Sequence, residues 1–354
     1  MKEFIIYLTF GIVIWSCSHP ADNGKIVVSL TDFRSERSLE GKKTVYDSIL
    51  SFRKIFFKND RLVIGSPSGN SHGNTIHLID PEHLTYIKGI GKEGLGPGEV
   101  DSGIWDFDYG QEDSTFWAYD LSGKKFYEFE FLGESKLSKQ TLNQRGDWFL
   151  TFSSHWLNDS TIVSYQTRNM DKFGLFSSLG EKVGNFIPWS KEGNPLSEEQ
   201  AFELSTKYQG HVEIDKRKST LAHASSKLAY FELYDLATKS HYEFYGPFPT
   251  NLDRGMIDQL IHSPKIDVEV IPRGFNDIVI GDHSVFLVHI GKTIDQINDL
   301  GETSRQILKF DKKGNPEEIF NLDFPIRSIA VDESQKKIYA ISDDQEPGIV
   351  VFMY

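Results

Sequence analysis

Three patterns in the sequence carry residue types that can do chemistry. The first is Gly89-Ile90-Gly91-Lys92-Glu93-Gly94, which has the Gly-x-Gly-x-x-Gly spacing of a dinucleotide cradle and follows a strand-like run, Leu84–Ile87. That chemistry requires a helix to begin at the glycines, so that its N-terminal N–H groups face the pyrophosphate. Leu95-Gly96-Pro97-Gly98 comes next, and two glycines and a proline in four residues do not open a helical turn. The stretch is expected to be a tight crossover between strands. Gly94, Gly96 and Gly98 supply backbone freedom, Pro97 fixes φ, and Glu99 can accept from the loop's own N–H groups.

The second pattern is a scatter of imidazoles. Of 11 histidines, His155, His211 and His289 lie on or beside predicted strands. With Arg273 and Asn276 they are the candidates for lining a central funnel, although a hydrogen-bonded structural histidine is the commoner role. No His-Glu-x-x-His, Gly-x-Ser-x-Gly or cysteine pair occurs, so no catalytic residue is assigned and no cofactor is predicted.

The third is Cys17, the only cysteine. It ends Ile14-Trp15-Ser16-Cys17, which resembles a bacterial lipobox, behind an apolar run from Phe4 to Trp15. That run of about 12 residues is short of the roughly 20 a spanning helix needs and fits a secretory signal. Glu3 beside Lys2 departs from the usual positive start. A lone cysteine leaves no disulfide, so Cys17 is expected to be lipidated, with 1–16 removed and 17–24 forming a tether.

Composition limits what the elements positioning these residues can be. The 354 residues are 25% charged and 13% aromatic, with 26 Phe, which calls for a large packed core. A net charge of −13 argues against nucleic acid and against electrostatic attachment to anionic lipid, leaving the lipid anchor as the membrane contact. Helical periodicity is scarce. Alternating runs such as Thr115–Tyr119 and Lys337–Ile341 read as half-buried strands.

One pattern recurs: an apolar strand, an Asp or Ser, a short turn and a second strand. The turn-opening residues are Asp80, Asp120, Ser177, Asp235 and Asp311. Their spacing starts at about 40 residues, the length of a four-stranded propeller blade, and then grows. Capping boxes at Ser197–Gln200 and Thr293–Gln296, and a third candidate helix at 251–262, supply inserted helices. The chain ends on Gly348–Tyr354, in register with Ile307–Phe310, so the last blade lacks its outer strand. The alternating strand Lys25–Leu30 is expected to supply it. The prolines at 247, 249, 264 and 272 argue for an insertion there rather than a seventh blade. The expected fold is all-β: one six-bladed propeller over 25–354, closed by the N-terminal strand.

Gly94-Leu95-Gly96-Pro97-Gly98-Glu99 resembles the Gly-x-Gly-Pro-Gly-Glu signature of the TolB-like six-bladed propeller lipoproteins of Bacteroidetes-type bacteria. The lipobox, the chain length and the Phe310-Asp311-x-x-Gly314 hairpin are similar too. The resemblance implies a fold and an address, and carries no catalytic residues. The resulting expectation is an exported, lipid-anchored, monomeric propeller of the cell envelope, at the outer membrane, which binds an unidentified protein or small molecule without catalysis. The competing expectation is a metal-dependent hydrolase or lyase with a divalent ion in the funnel, as in gluconolactonase-like propellers, for which Asn276 and Asp277 are the candidates.

Overall fold

The structure, a computed structural model, describes residues 25–69, 73–189, 196–248 and 271–354, with 255, 257, 259 and 263 between the last two spans. The signal segment, Cys17, the tether and most of the helix expected at 251–262 lie outside the described residues.

Strand-forming runs dominate because β-branched and aromatic residues alternate along them. Among the described residues they form five antiparallel-based sheets. The first sheet holds Lys54–Lys58, Arg61–Gly65, Asn74–Ile79 and Tyr86–Lys92. The second holds Asp106–Asp108, Thr115–Asp120, Lys125–Glu130 and Gln140–Asn143, and the third His155–Trp156, Thr161–Tyr165, Asp171–Ser177 and Lys182–Pro188. The fourth runs Gly210–Ile214, Thr220–Ser225, Tyr230–Asp235 and His241–Tyr245.

The fifth sheet has eight strands, from Phe275–Ile280 through Ser284–His289 and Ser304–Asp311 to Lys337–Ser342 and Ile349–Met353. The long strand Pro316–Asp332 sits in its middle and serves two neighbours. Its first half pairs with Ser304–Asp311, and its second half with Lys337–Ser342.

The innermost strands touch in cyclic order. Lys54–Lys58 meets Asp106–Asp108, which meets His155–Trp156, then Gly210–Ile214, then Phe275–Ile280, then Pro316–Asp332, which returns to Lys54–Lys58. The sheets therefore close on themselves around a central channel, as a β-propeller. Cores fill the wedges between neighbouring sheets. Phe56, Val63, Phe107, Phe116 and Tyr127 join the first sheet to the second. Ile55, Leu62, Tyr339 and Ile341 join it to the last strands of the chain.

The turn chemistry follows from the side chains. The Asp80 carboxylate accepts from the His83 N–H at 2.8 Å, that of Asp235 from Thr238 and that of Asp311 from Lys313. Four of the five turns close a third strand. Asp120 instead ends the second strand of its sheet, so that copy of the repeat is one strand out of phase. A side chain that caps a β-turn looks the same in either position. Both capping boxes form, over α1 (Glu198–Lys207) and α2 (Ile294–Leu300), and Gly301 ends α2 at φ 66°.

The closing strand differs from the expected one. Lys25–Val27 adds to the fourth sheet, parallel to His241–Tyr245. Ser35–Leu39 lies parallel to the first half of Pro316–Asp332. The strand that completes the last blade is Gly41–Thr44, antiparallel to Ile349–Met353. The reason is chemical. An outer edge faces solvent and is commonly lysine-rich, so Gly41-Lys42-Lys43-Thr44 suits it better than an apolar alternation. Ile26 and Val28 pack against the core of the fourth sheet instead. Gly41 is needed because a Cβ there would meet Val350 Cγ1 at 2.4 Å.

The pairing leads to a stability prediction. A chain starting at Val45 should lose about 3 kcal/mol or more relative to one starting at Gly41, since it uncovers the Ile349–Met353 edge. Chemical denaturation of the two truncations measures the difference, and equal midpoints would contradict the assignment.

Candidate functional site

The channel is lined by the first strand of each sheet together with Pro316–Asp332, and it is charged. Lys54 stands at its centre. Its Nζ donates to Asp277 Oδ1 at 2.6 Å and lies 3.4 Å from Asp106 Oδ1, tying three sheets together. Asp277 Oδ2 accepts from Ser328 Oγ at 2.6 Å and from the Ile329 N–H at 3.0 Å. Burial opposes the Lys54 charge, yet Asp106 and Asp277 outweigh it and raise the ammonium above its ordinary range.

Further along, Asp108 takes both a cation and backbone donors. Lys218 Nζ is 3.1 Å away, and the N–H groups of Gly110 and Trp156 bond to the carboxylate. Burial would raise its pKa, but Lys218 and the adjacent His155 pull it down to about 2. His155 is buried between Asp106 and Asp108, at 3.7 and 3.5 Å. Glu213 responds in the opposite sense. Burial, helped by Asp106, Asp277 and Asp108 and opposed by Lys54, holds its carboxyl well above the ordinary range.

Two β-bulges shape the channel mouth. The register shifts between Phe275 and Asp277 and between Ile326 and Ser328. A bulge re-aims side chains, and each here lets two consecutive residues serve the site. Asp277 and Ser328 bond each other beside Lys54, while Asn276 and Arg327 line the mouth. A cavity of about 370 Å³ opens there, walled by Arg53, Trp105, His211, Asn276, Arg327 and Asp343, with Lys54 and Asp277 also on its wall. Arg327 Nε donates to Asp343 at 2.8 Å, and Nη2 donates to the same oxygen. The other Asp343 oxygen accepts from Thr303 Oγ1 at 2.6 Å, and Thr303 in turn accepts from Asn276 Nδ2 at 2.7 Å. The Arg53 guanidinium lies 5.0 Å over the Trp105 ring. Among the described residues, neither that guanidinium nor the His211 ring makes a side-chain hydrogen bond or ion pair. Burial lowers the pKa of both; at Arg53 the Asp120 charge opposes the shift and Arg327 adds to it.

The glycine loop leads into this mouth. Glu99 accepts from Lys92 Nζ at 2.5 Å and from the Gly96 N–H at 2.8 Å. These bonds lower its pKa. A Cβ on Gly94 would stand 2.1 Å from the Glu99 carboxylate, which is why glycine is required there. The loop then bonds back, Ile104 N–H to the Ser66 carbonyl and Trp105 N–H to the Tyr119 carbonyl. It thereby delivers Trp105 to the mouth and Asp106 to the channel.

Of the expected funnel residues, His155 lies in the channel, and His211 and Asn276 line its mouth. Arg273 does not line the mouth cavity: its Nε donates to the Ser226 carbonyl beside it. His289 is off the channel. It sits on a second strand, outside the inner ring, bonded through Nδ1 to Gln306 and facing a separate cavity of about 380 Å³. Lys54, Arg53, Trp105, Asp106, Asp108, Glu213 and Arg327 were not singled out from the sequence. For the charged ones the signal was a charge beside or within an apolar strand, as in Arg53-Lys54-Ile55-Phe56 or Val212-Glu213-Ile214.

In the channel, Asp106 and Asp277 converge on the Lys54 ammonium. Among the described residues one trio, Glu232, His241 and Glu243, brings ligand atoms within 4.8 Å of one another. Lys172 Nζ lies 2.6 Å from Glu232 and 3.3 Å from Glu243 there. In both places a lysine supplies the positive charge, so the donor sets do not fit a metal ion as they stand.

The sequence model of the TolB-like 6-blade propeller-like family matches residues 29–334. The chain belongs to that family. No curated relative matches its sequence. Among solved structures, one similar fold is a Bacteroides fragilis NCTC 9343 protein thought to be exported. It has 13% identity and a TM-score of 0.54, covering 93% of this chain and 98% of that one. Another is the β-propeller domain of Myceliophteria thermophila Cps50 (Swd1), at 10% identity and a TM-score of 0.47, covering 88% and 100%. Among the described residues, no helix of this TolB-like propeller is long and apolar enough to cross a membrane.

Two outcomes are expected of the channel charges. Lys54→Met should cost about 3–5 kcal/mol by leaving buried carboxylates unpaired, and adding Asp277→Asn should restore part of it. Denaturant titration measures both, and a neutral single variant would contradict the geometry. Asp108 gives a pH signature. Its folded pKa, about 2, lies below its ordinary 3.8. The folded state therefore binds fewer protons in that interval. The stability it confers, about 2–3 kcal/mol, is present above pH ~4 and lost as pH falls toward ~2. Asp108→Asn should flatten that part of the acid limb, and an unchanged acid limb would contradict it.

Proposed function

We propose that this chain is an exported, lipid-anchored six-bladed propeller that holds a small ligand at its channel mouth without transforming it. One observation carries the binding role: the Arg53 guanidinium and the His211 ring face a cavity of about 370 Å³ with their hydrogen-bonding capacity unspent. Buried or half-buried polar groups normally have partners, so such groups on a concave wall point to a ligand. The wall around them is held by bonded pairs, Arg327 with Asp343 and Asn276 with Thr303, which is how preorganised sites are built.

Six blades are supported by the cyclic order of the inner strands, by the double use of Pro316–Asp332, and by the family's description. On this reading residues 25–354 form one domain and the eight-stranded sheet is two blades. Export is supported by the signal-like residues 1–16 and by the Bacteroides fragilis neighbour. The anchor would be a lipid on Cys17, holding a monomer at the outer membrane. A net charge of −13 fits a domain that stays clear of anionic lipid and nucleic acid.

The test has two parts. Cys17→Ala should move the protein from the membrane to the soluble fraction of native cells and abolish labelling by a palmitate analogue. Continued labelling would refute the anchor. Protein purified from native cells and then denatured should release a small molecule, seen by mass spectrometry. A Trp105→Ala variant should release at least about tenfold less. Equal release, or none from either, would refute binding at the mouth.

A further inference from the structure

The charges on the mouth wall narrow the ligand class. Lys54 is matched by Asp277 and Asp106, and Arg327 by Asp343. Arg53 is the remaining cation on that wall, and among the described residues no carboxylate lies within ion-pair distance of it. Its planar guanidinium is held in place by the Trp105 ring, 5.0 Å away, so its donors are oriented before any ligand arrives. Arg327 spends Nε and Nη2 on Asp343 and keeps Nη1. Two guanidinium groups thus share a wall, and among the described residues one of them, Arg53, has no ion-pair partner, Asp120 reaching it only as a more distant charge.

The same wall limits how much negative charge fits. Asp277 and Asp343 also line the cavity, and each would repel a second anionic charge. A carboxylate matches a guanidinium fork with a single charge, whereas phosphate at neutral pH carries more. The other open groups are neutral. Asn276 donates its Nδ2 to Thr303 and keeps its carbonyl oxygen, and the His211 ring offers one donor and one acceptor when uncharged. Trp105, 40% exposed, presents an aromatic surface at the rim. A body bearing hydroxyl groups and one apolar ring face answers that set. A cavity of about 370 Å³ suits a ligand of monosaccharide size or slightly larger.

We infer that the channel mouth binds a small hydroxylated monocarboxylate, its carboxylate on Arg53 and Arg327 and its hydroxyl-bearing body over Trp105, Asn276 and His211. This rests on the ligand-binding reading above and adds the ligand's charge and class.

Isothermal titration calorimetry on the purified mature chain tests it with D-glucuronate, D-gluconate and L-lactate, against D-glucose, D-glucosamine and inorganic phosphate. At least one carboxylate should bind, and at least about tenfold more tightly than glucose or phosphate. Arg53→Ala should weaken it by about tenfold or more, and Arg53→Lys by less, since the charge returns without the fork. Thermal denaturation of each variant shows that it is folded. Asn276→Leu gives a second, uncharged probe of the same wall and should also weaken binding. Glucose or phosphate binding as tightly as the best carboxylate would overturn the inference, as would an Arg53→Ala variant that binds like the parent. If none of the three carboxylates binds, the inference also falls. The two claims separate cleanly. Binding of D-glucose or D-glucosamine that is lost in Trp105→Ala would leave the mouth a ligand site and sink only its assignment to monocarboxylates.

Discussion

A single ammonium group organises the middle of this propeller. Lys54 belongs to the first strand of the first sheet, and its closest partner, Asp277, lies on the fifth sheet. Asp106, on the second sheet, is its other carboxylate. A charge buried this deeply is tolerable only when its partners and their remaining hydrogen bonds are all in place. Here Ser328 and the Ile329 N–H complete Asp277. Three sheets must therefore arrive in register at one point. That constraint accounts for the bulges beside Asp277 and Ser328, since an unbroken ladder would not set both of these and the next-door mouth residues where they stand.

The channel and its mouth divide the work. Inside, Lys54 pairs with Asp106 and Asp277 and Lys218 with Asp108, and burial beside these carboxylates raises the pKa of Glu213. These charges are spent on one another. At the mouth, the bonded pairs of Arg327 with Asp343 and Asn276 with Thr303 form a frame, and Arg53 and His211 remain open within it. The glycine loop belongs to the same construction. Its close-packed carboxylate at Glu99 fixes a bend whose far end carries Trp105 and Asp106. A motif spaced like a phosphate cradle thus acts by placing one aromatic ring and one carboxylate.

Features set by local chemistry were legible in the sequence. The Asp- and Ser-capped turns at Asp80, Ser177, Asp235 and Asp311 and both helix caps depend on residues within about four positions of one another. A further strand beside Ile349–Met353 was also expected, and one lies there. Which segment supplies it could not be read. Gly41–Thr44 is polar and short, and only its partner across the chain, Ile349–Met353, reveals it as a strand. The site was the least legible part. Lys54, Asp106 and Glu213 are charges beside apolar strand residues, and they read as channel residues only after the inner strands are known to form a ring. His289, expected like His155 on or beside a strand, falls outside that ring.

The central claim is that the channel mouth is a preformed site for one small anionic group. A crystal structure of the mature chain grown with D-glucuronate tests it most directly. The account predicts a carboxylate bonded to Arg53 and Arg327, with the sugar ring against Trp105 and the Lys54–Asp277 pair undisturbed. A bound sugar whose carboxylate points away from Arg53, or a mouth filled by a side chain from elsewhere in the chain, would contradict it.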